Sequence, residues 1–150
     1  MIRPVPRVGL REVPDLCVAL AAAVAVEVGL RTTTLPRLAR ALGAPLTADG
    51  LATLTGPSAG RPLPDRTLRR IHASRRVVRH WPFGDTCLRQ ALVCGWLLRR
   101  LRPTLQLGVA RVDGEVRAHA WLVVAGTVVD PLRAVSSYQP LTEVRAEAAS

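Results

Sequence analysis

Residues 105–129 read LQLGVARVDGEVRAHAWLVVAGTVV, and the period of this stretch sets the architecture. Leu105 to Val112 is strand-like, Asp113-Gly114 is a hairpin turn signal, and Glu115 to Val124 alternates. Ala125-Gly126 offers a second turn, and Thr127 to Val129 begins another strand. On the middle strand Arg117, His119, Trp121 and Val123 share one face, and Ala118, Ala120, Leu122 and Val124 share the other. The second set is the expected core side. His119 therefore either packs above the sheet or faces a cleft.

Upstream, the period is helical. Leu16 to Leu30 reads as an apolar helix with Asp15 as candidate N-cap. Leu35 to Leu42 reads as a short second helix that Gly43 is placed to end. Ala44 to Pro64, rich in Gly, Pro, Ser and Thr, is a connector. Asp65 to His80 is a basic amphipathic helix with Leu68, Ile71 and Val78 expected inward, stopped by Trp81-Pro82-Phe83-Gly84. Helical spacing returns from Asp85 to Leu101. After Asp130 the tail is irregular, with a short helix from Thr142 as its one candidate element. Helices followed by an antiparallel meander make an α+β chain. We divide it into residues 1–64, a helical front end with its connector, and residues 65–150.

The chain has 150 residues, 49% of them hydrophobic, which is enough for a core without staples. The net charge is +10, and all 21 basic residues are arginine. Guanidinium forks suit acidic partners. The arginines come as scattered pairs (Arg69-Arg70, Arg75-Arg76, Arg99-Arg100), and three Trp, one Tyr and one Phe make a poor base-stacking platform. Nucleic-acid binding is therefore not expected. Three cysteines, an odd and small number, are not a secreted disulfide framework, so a cytoplasmic setting is the default. The run Leu16 to Val26 resembles a signal-peptide core, but Glu12, Asp15 and Glu27 interrupt its flanks. It falls short of the ~20 apolar residues a membrane span needs. A buried or partner-facing helix is expected, with weak membrane association as the minor alternative.

Two of the cysteines lie in FGDTCLRQALVCGW, residues 83–96. Asp85 or Thr86 can cap the helix, which puts Cys87 in its first turn. Unpaired N–H groups and the positive end of the helix dipole gather there and favour a thiolate. Cys94 is seven residues on, ~10 Å along the axis, too far for a disulfide or an easily shared metal. Among Leu92, Leu97 and Leu98 it reads as a small core residue.

A cysteine nucleophile needs a base, and the base an orienter. Of three histidines, His72 and His80 lie in the arginine-rich helix and its end, where a solvated role is expected. His119, alone, is a structural histidine or a base. If Ala125-Gly126 is a two-residue turn, Val124 pairs with Thr127 and Trp121 lies opposite Asp130. Asp130 is then the diagonal neighbour of His119, ~7 Å away between backbones. A carboxylate there can fix the imidazole tautomer; before Pro131 it can equally be a strand-ending turn residue. An odd-length turn would reverse the parity. Cys87, His119 and Asp130 together suggest a catalytic triad.

The segments Cys87-Leu88, Arg99-Arg100, Leu107-Gly108-Val109, Ala118-His119-Ala120-Trp121 and Val128-Val129-Asp130 resemble the core of the transglutaminase-like cysteine proteases. They are most similar to the leader peptidases of lasso peptide biosynthesis. Leu35-Pro36-Arg37-Leu38-Ala39-Arg40 resembles that family's front end. Leu101-Arg102-Pro103 departs from it, where a glycine often follows the arginines.

The resemblance implies a papain-like core with a helical N-terminal extension, residues 65–150 being the protease unit. It implies an endopeptidase that removes the leader from a ribosomally made precursor. In that activity Cys87 would attack, His119 would activate it, Asp130 would orient His119, and no cofactor or metal would be needed. It also implies a small leader-recognition protein and a downstream ATP-dependent cyclase as partners. The chain itself has no phosphate-binding glycine loop. Residues 16–43 are the expected partner dock, because their apolar content exceeds what so small a front end can bury. Two alternatives stay open: a deamidating or acyl-transferring relative with the same triad, and a basic binding module without catalysis.

Overall fold

The computed structural model describes residues 9–47, 63–112, 114–129 and 139–140. Helix α1 spans Val13–Thr32, α2 Leu35–Ala41, α3 Asp65–Arg79 and α4 Cys87–Leu97, followed by a 3-10 turn, Arg99–Leu101. Strands are β1 Thr104–Val112, β2 Glu115–Val124, β3 Thr127–Val129 and β4 Gln139–Pro140. The sheet order is β3-β2-β1-β4, all neighbours antiparallel. The expected meander is present, and β4 adds an edge to it beside Gly108 and Val109. Pro140, which has no N–H to donate, suits an edge position. The expected short helix from Thr142 lies outside the described residues.

The hairpins follow their turn chemistry. Val112 pairs with Glu115 and Val124 with Thr127, so each loop has two residues. Ala125 and Gly126 both have positive φ, +49° and +77°, as a type I′ turn requires. Alanine carries a Cβ penalty there that asparagine and glycine largely avoid. Ala125→Asn is expected to stabilise the protein by about 0.5–1 kcal/mol, read as a higher urea midpoint with an unchanged m-value.

One core serves the whole described fold. Ala19, Ala22, Ala23 and Val26 of α1 join Ile71 and Val78 of α3, Leu92, Val93 and Leu97 of α4, and Leu105, Ala120, Leu122 and Val124 of the sheet. Side chains from both sides of residue 64 thus share a single cluster. In α3 the inward row is Thr67, Ile71, Ser74 and Val78, whereas Leu68 is exposed. The inward placing of Leu68 is therefore corrected: it lies one position from Thr67 on a helix whose buried stripe runs 67–71–74–78.

Helix α1 begins earlier than its apolar run and has 20 residues, long and apolar enough by length and composition to cross a membrane. Its N-cap position is Glu12, and Asp15 lies inside the first turn, within 3.8 Å of both Arg69 and Arg70 of α3. Glu12 pairs with Arg76 at 3.2 Å. Exposed pairs of this kind contribute about 0–1 kcal/mol each; burial of the alanine face holds α1 in place. Its outer face, with Val13, Val18, Leu20, Val24 and Val28, is exposed.

Close approach of α4 to its neighbours depends on Gly95. A Cβ there would stand 2.7 Å from the Ala44 methyl and 3.6 Å from Leu122. Gly95 thus fixes which part of α4 faces which part of the sheet.

Candidate active site

The loop before α4 is shaped for an abrupt start. Gly84 adopts φ +98° and its N–H closes a turn onto the Trp81 carbonyl at 3.2 Å. Thr86 is then the N-cap: its Oγ1 accepts from the Arg89 N–H at 3.3 Å and its carbonyl from Gln90 at 3.0 Å. Of the two sequence candidates, Thr86 is the cap because its hydroxyl lies three residues before Arg89, the N3 position. Cys87 is the first residue of the helix and half-buried. The N–H groups of Cys87 and Leu88 have no intrahelical acceptor at this position. They and the helix dipole point at any negative charge that forms beside the sulfur.

The other thiols differ. Cys94 is buried, and burial pushes its pKa up to about 12. Cys17 is exposed on α1. Cys94 is accordingly expected to resist iodoacetamide in the folded protein and to react only after unfolding, a contrast that peptide mass mapping reads directly.

His119 lies on β2, the strand whose core face packs against α4. The 3-10 turn sends β1 back along α4, and Gly108 of β1 pairs with His119. Leu122 lies beside Gly95. Ala120, Leu122 and Val124 face the core, as expected, but Ala118, placed on the same side by the alternation, is exposed, and Trp121 and Val123 of the other face are buried as well. His119 is on the other face, 2% exposed, its ring stacked on Trp121 with centroids 5.9 Å apart. The side chain is buried above the sheet. No hydrogen bond joins the Cys87 thiol to the His119 ring among the described residues. Asp130 lies outside the described residues; the two-residue turn on which its parity depends is present. His72 and His80 are exposed.

Glu27, bonded to Trp81 and Arg89 on either side of Cys87 in the sequence, is legible in the sequence only as a break in an apolar run. It is buried, and its carboxylate accepts from Arg89 Nε at 2.9 Å and from Trp81 Nε1 at 3.4 Å. The Arg89 hydrogen bond holds its pKa below the usual 4.5 against the opposing effect of burial, with Trp81 next in effect. A lowered folded-state pKa means that this contribution to stability is complete above 4.5 and is lost as pH falls through the lower folded value. The signal available in sequence was a lone acid spaced with Ala19, Ala23 and Val26 on the core face of α1.

Among the described residues no group of His, Cys, Asp and Glu is placed to hold a metal ion. A model of the transglutaminase-like superfamily matches residues 23–143.

The chain belongs to the transglutaminase-like superfamily.

The match takes in Cys87, His119 and Asp130 and starts inside α1, so the transglutaminase-like region includes part of the front end. Members of this superfamily commonly carry a Cys-His-Asp triad and act as cysteine peptidases or transglutaminases. No curated protein and no solved structure matches the chain.

Proposed function

We propose that this transglutaminase-like protein is a cysteine endopeptidase that removes the leader from a ribosomally made precursor peptide during lasso peptide maturation. The observation that carries the reading is Cys87 at the capped N-terminus of α4, within a superfamily match that spans all three triad positions. The thiol proton passes to His119, and the sulfur attacks the scissile carbonyl. The first-turn N–H groups of α4 receive the oxyanion. His119 then protonates the leaving amine, and water releases the acyl group from sulfur. Asp130 orients the imidazole. This chemistry needs a side-chain arrangement in which the His119 ring meets the thiol, and it uses no metal or cofactor.

The partners are the leader, a small leader-recognition protein and the downstream ATP-dependent cyclase, in the cytoplasm. Two features support a dock on residues 16–43. The outer face of α1 is exposed and apolar, and a groove of about 430 Å³ lined by Leu16, Cys17, Leu20, Val77, Trp81 and Pro82 opens beside it. Trp81 and Pro82 belong to the loop that leads to Cys87. An acidic leader or partner would suit the chain's net charge of +10.

Incubation of precursor peptide, partner and wild-type protein, followed by mass analysis, tests the reading. Two fragments whose masses sum to substrate plus water are expected. A gain of about 1 Da without cleavage means deamidation, and a cross-linked product means acyl transfer. An unchanged peptide, with salt-sensitive retardation of DNA instead, supports the binding-module alternative.

A further inference from the structure

The approach to Cys87 runs from Trp81 to Thr86, and both ends of it are tied to one carboxylate on α1. At the near end, Trp81 donates to Glu27. At the far end, Arg89 gives Glu27 two bonds, Nε to Oε2 at 2.9 Å and Nη2 to Oε1 at 3.4 Å. Arg89 is two residues past Cys87, and both its backbone N–H and its Nη1 reach the Thr86 hydroxyl. Arg31, paired with Glu27 at 2.9 Å, lies over the Phe83 ring with 4.5 Å to the centroid, and Phe83 meets Trp81 edge-on. An apolar residue would fill this core position on α1 with less desolvation cost. What the acid adds is a fixed geometry for the six residues 81–86 and for the first turn of α4.

We propose that Glu27 is a positioning residue for Cys87, holding the Trp81–Thr86 loop and the first turn of α4 through Trp81 and Arg89. The inference rests on Cys87 being the nucleophile. The front helix is then part of the catalytic apparatus, and a partner seated on its outer face acts one helix-width from the residue that aligns the thiol.

The test uses the full chain. Glu27→Gln keeps the shape and one acceptor but removes the charge. It is expected to lower kcat on the precursor peptide about 10-fold, since small misplacements of reacting groups carry penalties of this order, with KM changed less than about 3-fold. Iodoacetamide labelling of Cys87 slows, whereas labelling of Cys17, in the same sample, does not. Arg89→Met gives the same loss, and the double variant is no worse than either single one, because both remove the same link. Trp81→Phe, which deletes one donor and keeps a ring, gives a smaller loss in the same direction and serves if Glu27→Gln does not fold. A folded Glu27→Gln protein with wild-type kcat and wild-type Cys87 labelling overturns the proposal, as does an equal change at Cys17 and Cys87. If the wild type cleaves no peptide, the endopeptidase reading fails, and labelling of Cys87 against Cys17 still decides the role of Glu27.

Discussion

Cys87→Ala is expected to fold as the wild type does and to cleave precursor peptide slower by on the order of 10⁴-fold or more. The side chain is half-buried at a helix start, and alanine is a good helix former, so little stability depends on the sulfur. The loss is therefore chemical. His119→Ala is expected to fall by about 10²–10⁴-fold, the range a general base contributes. Because His119 is buried and stacked on Trp121, its alanine variant also loses packing, and circular dichroism alongside the kinetics separates the two effects. The double variant Cys87→Ala/His119→Ala should be no slower than Cys87→Ala alone, since base and nucleophile act as a unit. Cleavage that survives in Cys87→Ala removes Cys87 from the mechanism.

Leu122→Ala is expected to have the largest effect on folding, about 2–5 kcal/mol. Leu122 is 1% exposed, lies against Gly95 of α4 and pairs with Leu105 of β1 and Val129 of β3. Truncation leaves a cavity where helix and sheet meet, and the tight Ala44–Gly95 contact prevents α4 from closing on it. Urea unfolding should show a lower midpoint with an unchanged m-value. A change under 1 kcal/mol would mean that α4 and the sheet are not packed as described.

Features set by local sequence were legible. The two hairpin turn signals mark off β1 to β3, although burial in β2 runs unbroken from His119 to Val124 instead of alternating, and Thr86 three residues before Arg89 marks the start of α4. Cys94 as a core residue follows from its apolar neighbours Leu92, Leu97 and Leu98 on the helix. Features that depend on tertiary packing were not. Leu68 is apolar but falls off the stripe that α1 and α4 cover, and no single-helix pattern says which of two adjacent stripes is covered. β4 pairs with β1 across about 30 residues of chain, and contacts that distant leave no periodic trace. Glu27 and Arg89 are 62 residues apart in sequence, so their pairing was not legible either. For the candidate site, sequence indicated the helix start that carries Cys87 and the strand that carries His119. It left open whether the His119 side chain packs above the sheet or faces a cleft; in the fold it is buried beside Trp121.

The most direct measurement is the intact mass of the protein after exposure to a chloromethyl ketone built on the residues preceding the cleavage site, followed by peptide mapping. One adduct is expected, on Cys87, formed rapidly in the wild type, slowly in His119→Ala and not at all in Cys87→Ala. An adduct confined to the exposed Cys17, or one on Cys87 whose rate is indifferent to His119, would contradict this expectation.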